Sequence, residues 1–184
     1  CAAALAAARL GQTVALIQDR PVLGGNASIE IGLSPRGSQG ALLKEFSARK
    51  PDGDLLAYDL LVAEPTCTVF LEHRVMSVEE QEQKIVSIKA LEARGGIEKR
   101  FTGKVFIDAS GTALLARHTN AETLFGRESK SDFGEESAPE NSDNQHHGNT
   151  LFFRTKEGDN PSLFPDVPWA TEVAKKFADL TGQL

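Results

Sequence analysis

The sequence predicts an α/β protein in which a parallel sheet carries an inserted three-stranded antiparallel meander. Three stretches predict it. Residues 1–17 read as helix, glycine stop and buried strand. Residues 75–101 alternate apolar and polar side chains in three runs parted by polar turns. Residues 104–109 hold an apolar run that ends in small residues before Gly111.

The opening helix follows from composition. Residues 1–10 are nearly all alanine and leucine, with one charge at Arg9. Alanine is the best helix former, and its small side chain lets a helix lie close on a sheet. Gly11 supplies the left-handed stop. Residues 13–17 are apolar and partly β-branched, as in a strand buried on both faces. A helix feeding such a strand through a tight turn implies a right-handed crossover. This pattern is the second half of a strand–helix–strand dinucleotide-binding unit. On that reading the chain is N-terminally truncated, and the first strand and its GxGxxG turn lie before Cys1. The same residues also suit an α/β unit that holds no ligand.

The residues after the strand favour a ligand. In dinucleotide folds a side chain at the end of the second strand hydrogen-bonds the adenosine ribose. Gln18 stands there, followed by Asp19 and Arg20. An amide can bond a hydroxyl through its oxygen or its nitrogen. Asp19 could do the same, although a solvent-facing or turn position suits it better. Gly24 and Gly25 permit close backbone approach to a ligand, or an ordinary tight turn. Asn26 and Ser28 place short polar groups beside them.

The string VALIQDRPVLGGNAS resembles the FAD-dependent oxidoreductases with a glutathione-reductase-like fold, as do FIDASGTALLARHTNAE, FGRESKSDFGEESAPE and HHGNTLFFRT. More narrowly, the chain is similar to a bacterial family of such oxidoreductases in which some members carry a xanthan-lyase label. The resemblance covers the chain up to about Arg154. It implies FAD as cofactor and an FAD/NAD(P)-binding, Rossmann-like parallel sheet whose first strand and GxGxxG turn are missing here. It also implies that Val75 offers its backbone to adenine, and that Ser110 and Gly111 lie near the pyrophosphate or flavin. An arginine near the flavin is a further implication, and Arg36, between Pro35 and Gly37, is the candidate; a solvated loop arginine weighs about equally. Where the family often shows Thr-Gly-Asp, this chain has Ser110, Gly111 and Thr112, without the carboxylate.

The remaining elements fit that frame. Residues 41–50 look helical. Residues 51–54 form a turn, with Asp54 a possible cap. Residues 55–64 give a packing helix that Pro65 stops, and residues 67–71 the next buried strand. The meander, about 75–102, turns at Glu82-Gln83 and Gly95-Gly96. A Rossmann dehydrogenase would continue with alternating strands and helices instead, so the meander argues for FAD over NAD. Residues 104–109 are the final central strand, with 108–111 as its turn, and residues 114–119 can begin a helix. Residues 126–149 are long, polar and aperiodic, a pattern that is functional or disordered. His147 or Asn149, at the start of a strand-like run over 150–154, could reach substrate or flavin. Trp169, Val173, Phe177 and Leu180 recur at helical spacing and predict an amphipathic packing helix.

Composition sets the outer bounds. The chain of 184 residues is 40% hydrophobic and 25% charged, as in a soluble globular protein. A net charge of −6 disfavours nucleic acid and anionic membranes as partners. A small-molecule substrate remains, and neither oligomeric state nor compartment is indicated. Cys1 and Cys67 have no C-x-x-C or metal-type spacing. They read as buried free thiols, which excludes dithiol exchange. Neighbouring His146 and His147 would point to opposite faces of a strand, so no metal site is expected. The expected organisation is a partial FAD-binding domain over 1–125, then a polar loop and the start of a substrate or cap region over 126–184. The expected function is that of an FAD-dependent oxidoreductase, with flavin-mediated hydride transfer on a small molecule and Arg36 and His147 as catalytic candidates. The alternatives are an FAD-fold lyase or hydratase with a non-redox flavin, or a non-catalytic nucleotide-binding fragment.

Overall fold

The structure, a computed structural model, describes residues 1–33, 35, 37, 40–47, 55–146 and 158–159. Its elements are α1 (Ala2–Arg9), β1 (Val14–Ile17), α2 (Ala41–Ser47), α3 (Leu55–Val62), β2 (Cys67–Phe70), β3 (His73–Gln81), β4 (Lys84–Glu92), β5 (Glu98–Thr102), α4 (Leu114–Arg117) and α5 (Lys130–Phe133). By contacts the chain divides into two compact units, Cys1–Gly148 and Asn149–Leu184. Asp54, the run over 150–154 and the helix expected around Trp169 to Leu180 lie outside the described residues.

Helix α1 ends as its glycine predicts. Gly11 adopts a left-handed φ of 79°. The Gly11 N–H donates to the Ala8 carbonyl at 2.8 Å and the Gln12 N–H to the Ala7 carbonyl at 3.0 Å. These two bonds satisfy carbonyls that the helix end would otherwise leave open. The chain then enters β1, which pairs in parallel with β2, from Val14 opposite Cys67 to Ile17 opposite Phe70. The core packs Ala4, Leu5 and Ala8 of α1 against Leu23, Ala57, Leu61 and Cys67. Leu5 and Leu61 are wholly buried. Strand β1 is not buried on both faces, as its sequence led one to expect. Val14 and Leu16 pack against the core, whereas Ala15 is exposed. Successive strand residues face opposite ways, and the core lies on one side only.

The meander forms in the order β3-β4-β5, antiparallel throughout. It begins at His73 rather than Val75. Its first turn places Glu82 and Gln83 both at positive φ, 51° and 61°, which suits the twist of a two-residue hairpin. At the second turn Gly96 takes φ 64°.

Two later expectations change. Residues 104–109 form no strand, and Val105 and Ile107 are 78% and 65% exposed. A strand needs a partner for its backbone groups, and among the described residues nothing pairs with this segment. The polar stretch after Gly126, by contrast, folds back on itself. Arg127 and Asp143 exchange backbone hydrogen bonds at 3.0 Å, and their side chains form an ion pair. Between them, Ser129 and Asp132 cap α5 reciprocally. Among the described residues, no helix is long and apolar enough to cross a membrane.

Candidate functional site

The end of β1 is fixed by its neighbours. The Gln18 N–H donates to the Phe70 carbonyl at 2.9 Å, extending the parallel ladder by one residue. The Gln18 carbonyl accepts from the His73 N–H at 2.9 Å, and the Arg20 carbonyl from the Glu72 N–H at 3.2 Å. Residues 18–20 are thus a ledge held by the corner between β2 and β3. The Gln18 side chain donates through Nε2 to the Val22 carbonyl at 3.2 Å, so a ribose contact would fall to its amide oxygen. Asp19 is exposed. Arg20 pairs with Glu30 at 2.8 Å.

The glycine pair follows in one turn. Leu23, 3% exposed, anchors it in the core. Gly24 has φ 112° and Gly25 φ 58°, conformations that side chains with a Cβ seldom adopt. Nothing lies within 4 Å of where a Cβ on Gly25 would stand, so its backbone is open to close approach. Asn26 is exposed in the short helical turn Gly25–Ala27, and its carbonyl accepts from the Leu33 N–H at 2.9 Å. Ser28 is buried, and its hydroxyl accepts from the Glu30 N–H at 3.2 Å.

A second turn precedes α4. The Asp108 carboxylate accepts from the Ser110 N–H at 2.9 Å and the Leu115 N–H at 2.7 Å. The Ser110 hydroxyl accepts from the Leu114 N–H at 3.0 Å. Burial by itself would raise the Asp108 pKa. The Ser110 hydroxyl and the backbone N–H groups of Ser110, Leu115 and Ala116 outweigh it and hold the carboxyl below its ordinary value. Gly111, φ 74°, also has nothing within 4 Å of a Cβ position.

The predicted residues are therefore gathered in part. The ledge meets the β2–β3 corner, and residues 24–28 share one turn. The hydrogen bonds of residues 108–112 stay within their own turn and α4. Val75 sits in β3 opposite Ala90, beside a bulge at Met76. Arg36, His147 and Asn149 lie outside the described residues. Two residues were missed. Asp108 had a signal, an acidic residue shortly before a short apolar helix. His73 had none, because a lone histidine at a strand start says nothing of what it touches. An open cleft of about 470 Å³ lies elsewhere, lined by Lys84, Ile85, Val86, Gly103, Lys104 and Phe106. None of those six is a predicted contact.

Gly25 and Gly111 both present open, left-handed backbone, and the ledge is held at the β2–β3 corner. The family model of FAD dependent oxidoreductases matches residues 1–180. The chain belongs to that family. FAD is accordingly its cofactor. The match runs through the ledge, both glycine turns and the meander, so all of them belong to one FAD dependent oxidoreductase sequence. No curated protein and no solved structure matches the chain.

Proposed function

We propose that this FAD dependent oxidoreductase holds its cofactor non-covalently along the ledge and the two glycine turns, and transfers hydride to or from a small organic substrate. The observation that carries the reading is the family match across both glycine turns, each with an open left-handed backbone. Gln18 would meet the ribose through its amide oxygen. Gly24, Gly25, Asn26 and Ser28 would approach the pyrophosphate, with Ser110 and Gly111 beside it or the flavin, and Val75 would serve adenine. The cofactor supplies the hydride chemistry when bound, and the protein positions and tunes it. Residues 1–125 form the FAD-binding domain on this reading, and residues 126–184 begin the substrate region. Arg36 is the candidate fixed cation near the flavin and His147 the candidate proton carrier.

The test is spectroscopic. The purified protein should show flavin absorbance bands that bleach when a substrate or hydride donor reduces it. Gly25→Val should weaken FAD binding at least tenfold, because the new side chain fills the open approach and strains a left-handed backbone. Unchanged FAD affinity in that variant would remove the first glycine turn from the site. Turnover without bleaching would favour lyase chemistry with a non-redox flavin.

A further inference from the structure

Among the described residues, Glu72, Glu82, Gln83 and Ala113 combine a side chain with a positive φ. Glu82 and Gln83 make the hairpin turn between β3 and β4, and Ala113 precedes α4. Glu72, at φ 56°, stands between β2 and β3, bonded to the ledge. A left-handed backbone is uncommon for residues other than glycine, asparagine and aspartate. Such a conformation persists only where its surroundings hold it, and functional sites are where it gathers.

Backbone on both sides holds Glu72. Its N–H donates to the Arg20 carbonyl at 3.2 Å, and the next N–H, of His73, donates to the Gln18 carbonyl at 2.9 Å. Its carbonyl accepts from the Ala93 N–H at 2.8 Å, at the start of the turn between β4 and β5. Its carboxylate accepts from Arg94 Nε of the same turn at 2.7 Å. Successive N–H groups of an extended strand point to opposite sides. Two in a row can face one neighbour only where the chain turns, and a left-handed residue supplies such a turn. We infer that Glu72 is a positioning residue for the cofactor ledge: its left-handed backbone, and not the charge of its carboxylate, turns two consecutive N–H groups onto the Gln18 and Arg20 carbonyls and so fixes where Gln18 meets FAD.

The partners favour the backbone over the charge. The Arg94 side chain is 76% exposed, so water and salt screen its pair with Glu72. The Ala93 bond and the two ledge bonds run from backbone to backbone and do not involve the side chain at position 72. What that side chain decides is which φ the residue can hold. Glycine reaches positive φ freely, alanine less readily, and β-branched valine hardly at all. The geometry of the corner stands by itself; that the ledge serves FAD rests on the proposed cofactor site.

A substitution series on the purified protein tests it. The readouts are FAD affinity by titration and the hydrogen-exchange protection factors of the amides at positions 72 and 73, each relative to intrinsic exchange. Glu72→Gly should bind FAD within about twofold of the wild type and keep both amides protected, because the left-handed backbone survives. Glu72→Val should weaken FAD binding by about tenfold or more and expose both amides, while the Leu61 amide in the helix–sheet core stays protected. Glu72→Ala should fall between them, which keeps the test decisive if Glu72→Val does not fold. Wild-type affinity in Glu72→Ala or Glu72→Val overturns the inference, as does a loss in Glu72→Gly equal to that in Glu72→Ala, which would give the role to the carboxylate. Protection that follows the series while FAD affinity ignores it overturns the positioning role and takes the ledge out of the cofactor site. A wild type that binds no FAD overturns the cofactor reading itself, and the positioning role with it.

Discussion

Leu5 and Leu61 are wholly buried where α1 and α3 pack on the β1–β2 pair, whereas the most buried groups of the meander include Ser87 and His73 beside Ile88 and Ala90. The helix-covered sheet is held by apolar side chains from separate elements meeting in one cluster. The meander is held by its own ladder and by polar groups that cross it. Ser87 donates to the Glu79 carboxylate at 2.6 Å and accepts from Arg100 Nε at 3.0 Å, and Arg100 also pairs with Glu79. The Ser87 bond comes first, and Arg100 adds to it, in holding the Glu79 carboxyl below its ordinary pKa. The contrast teaches where each region is vulnerable. Layer packing fails when volume is lost, and a ladder with satisfied polar groups fails when a bond is lost. The ledge joins the two, because its bonds run from the end of β1 to the start of β3.

The largest effect should come from Leu61→Ala. Removing a fully buried leucine from the helix–sheet core should cost about 2–5 kcal/mol, read by urea unfolding. A loss below about 1 kcal/mol would mean that the cluster is not close-packed and would erase the contrast. In the meander, Ser87→Ala should cost only about 1 kcal/mol, the net worth of a typical hydrogen bond. It should also let the Glu79 carboxyl rise toward its ordinary pKa, followed by NMR titration. Equal costs for the two substitutions would show that both regions are held in the same way.

A smaller and local effect concerns the turn before α4. The Asp108 pKa is depressed in the folded state, so its contribution is present above the ordinary carboxylate range and is lost as pH falls through the folded value. The protection factor of the Leu115 amide, relative to its intrinsic exchange at each pH, should therefore fall in acid in the wild type. Asp108→Asn should remove that acid dependence while leaving α1 and the meander unchanged. The smallest effect should come from Glu45→Gln. Arg9 grips Glu45 through two bonds at 2.9 Å and Glu64 at 3.0 Å, yet the Arg9 and Glu45 side chains are each 38% exposed. Such a pair is screened by salt. The melting temperatures of wild type and variant should differ slightly in low salt and converge in high salt; a gap that persists would make this pair part of the packed layer.

Much of the fold was legible residue by residue. Alanines and Gly11 marked α1 and its stop, Pro65 marked the end of α3, and alternation marked the meander. The candidate site was legible where backbone freedom is written into composition, at Gly24, Gly25 and Gly111. It was not legible where a side chain serves a distant one. Arg127 and Asp143 clasp a polar stretch that looked aperiodic, because the signal is a pairing across sixteen residues of chain. His73 meets Lys99 from twenty-six residues away.

The sequence by itself determined α1 and its glycine stop, the end of α3, the strands of the meander, and the family to which the chain belongs. Those properties rest on local propensity, on periodicity and on the order of residues. Only the tertiary structure decided that β1 is covered on one side, that residues 104–109 stay out of the described sheets, and that the backbone N–H groups of Glu72 and His73 hold the ledge. Each of these depends on which distant backbone or side-chain group arrives as a partner. A segment's own composition can favour a strand or a buried face, but the hydrogen-bond partner or the covering layer comes from elsewhere in the chain.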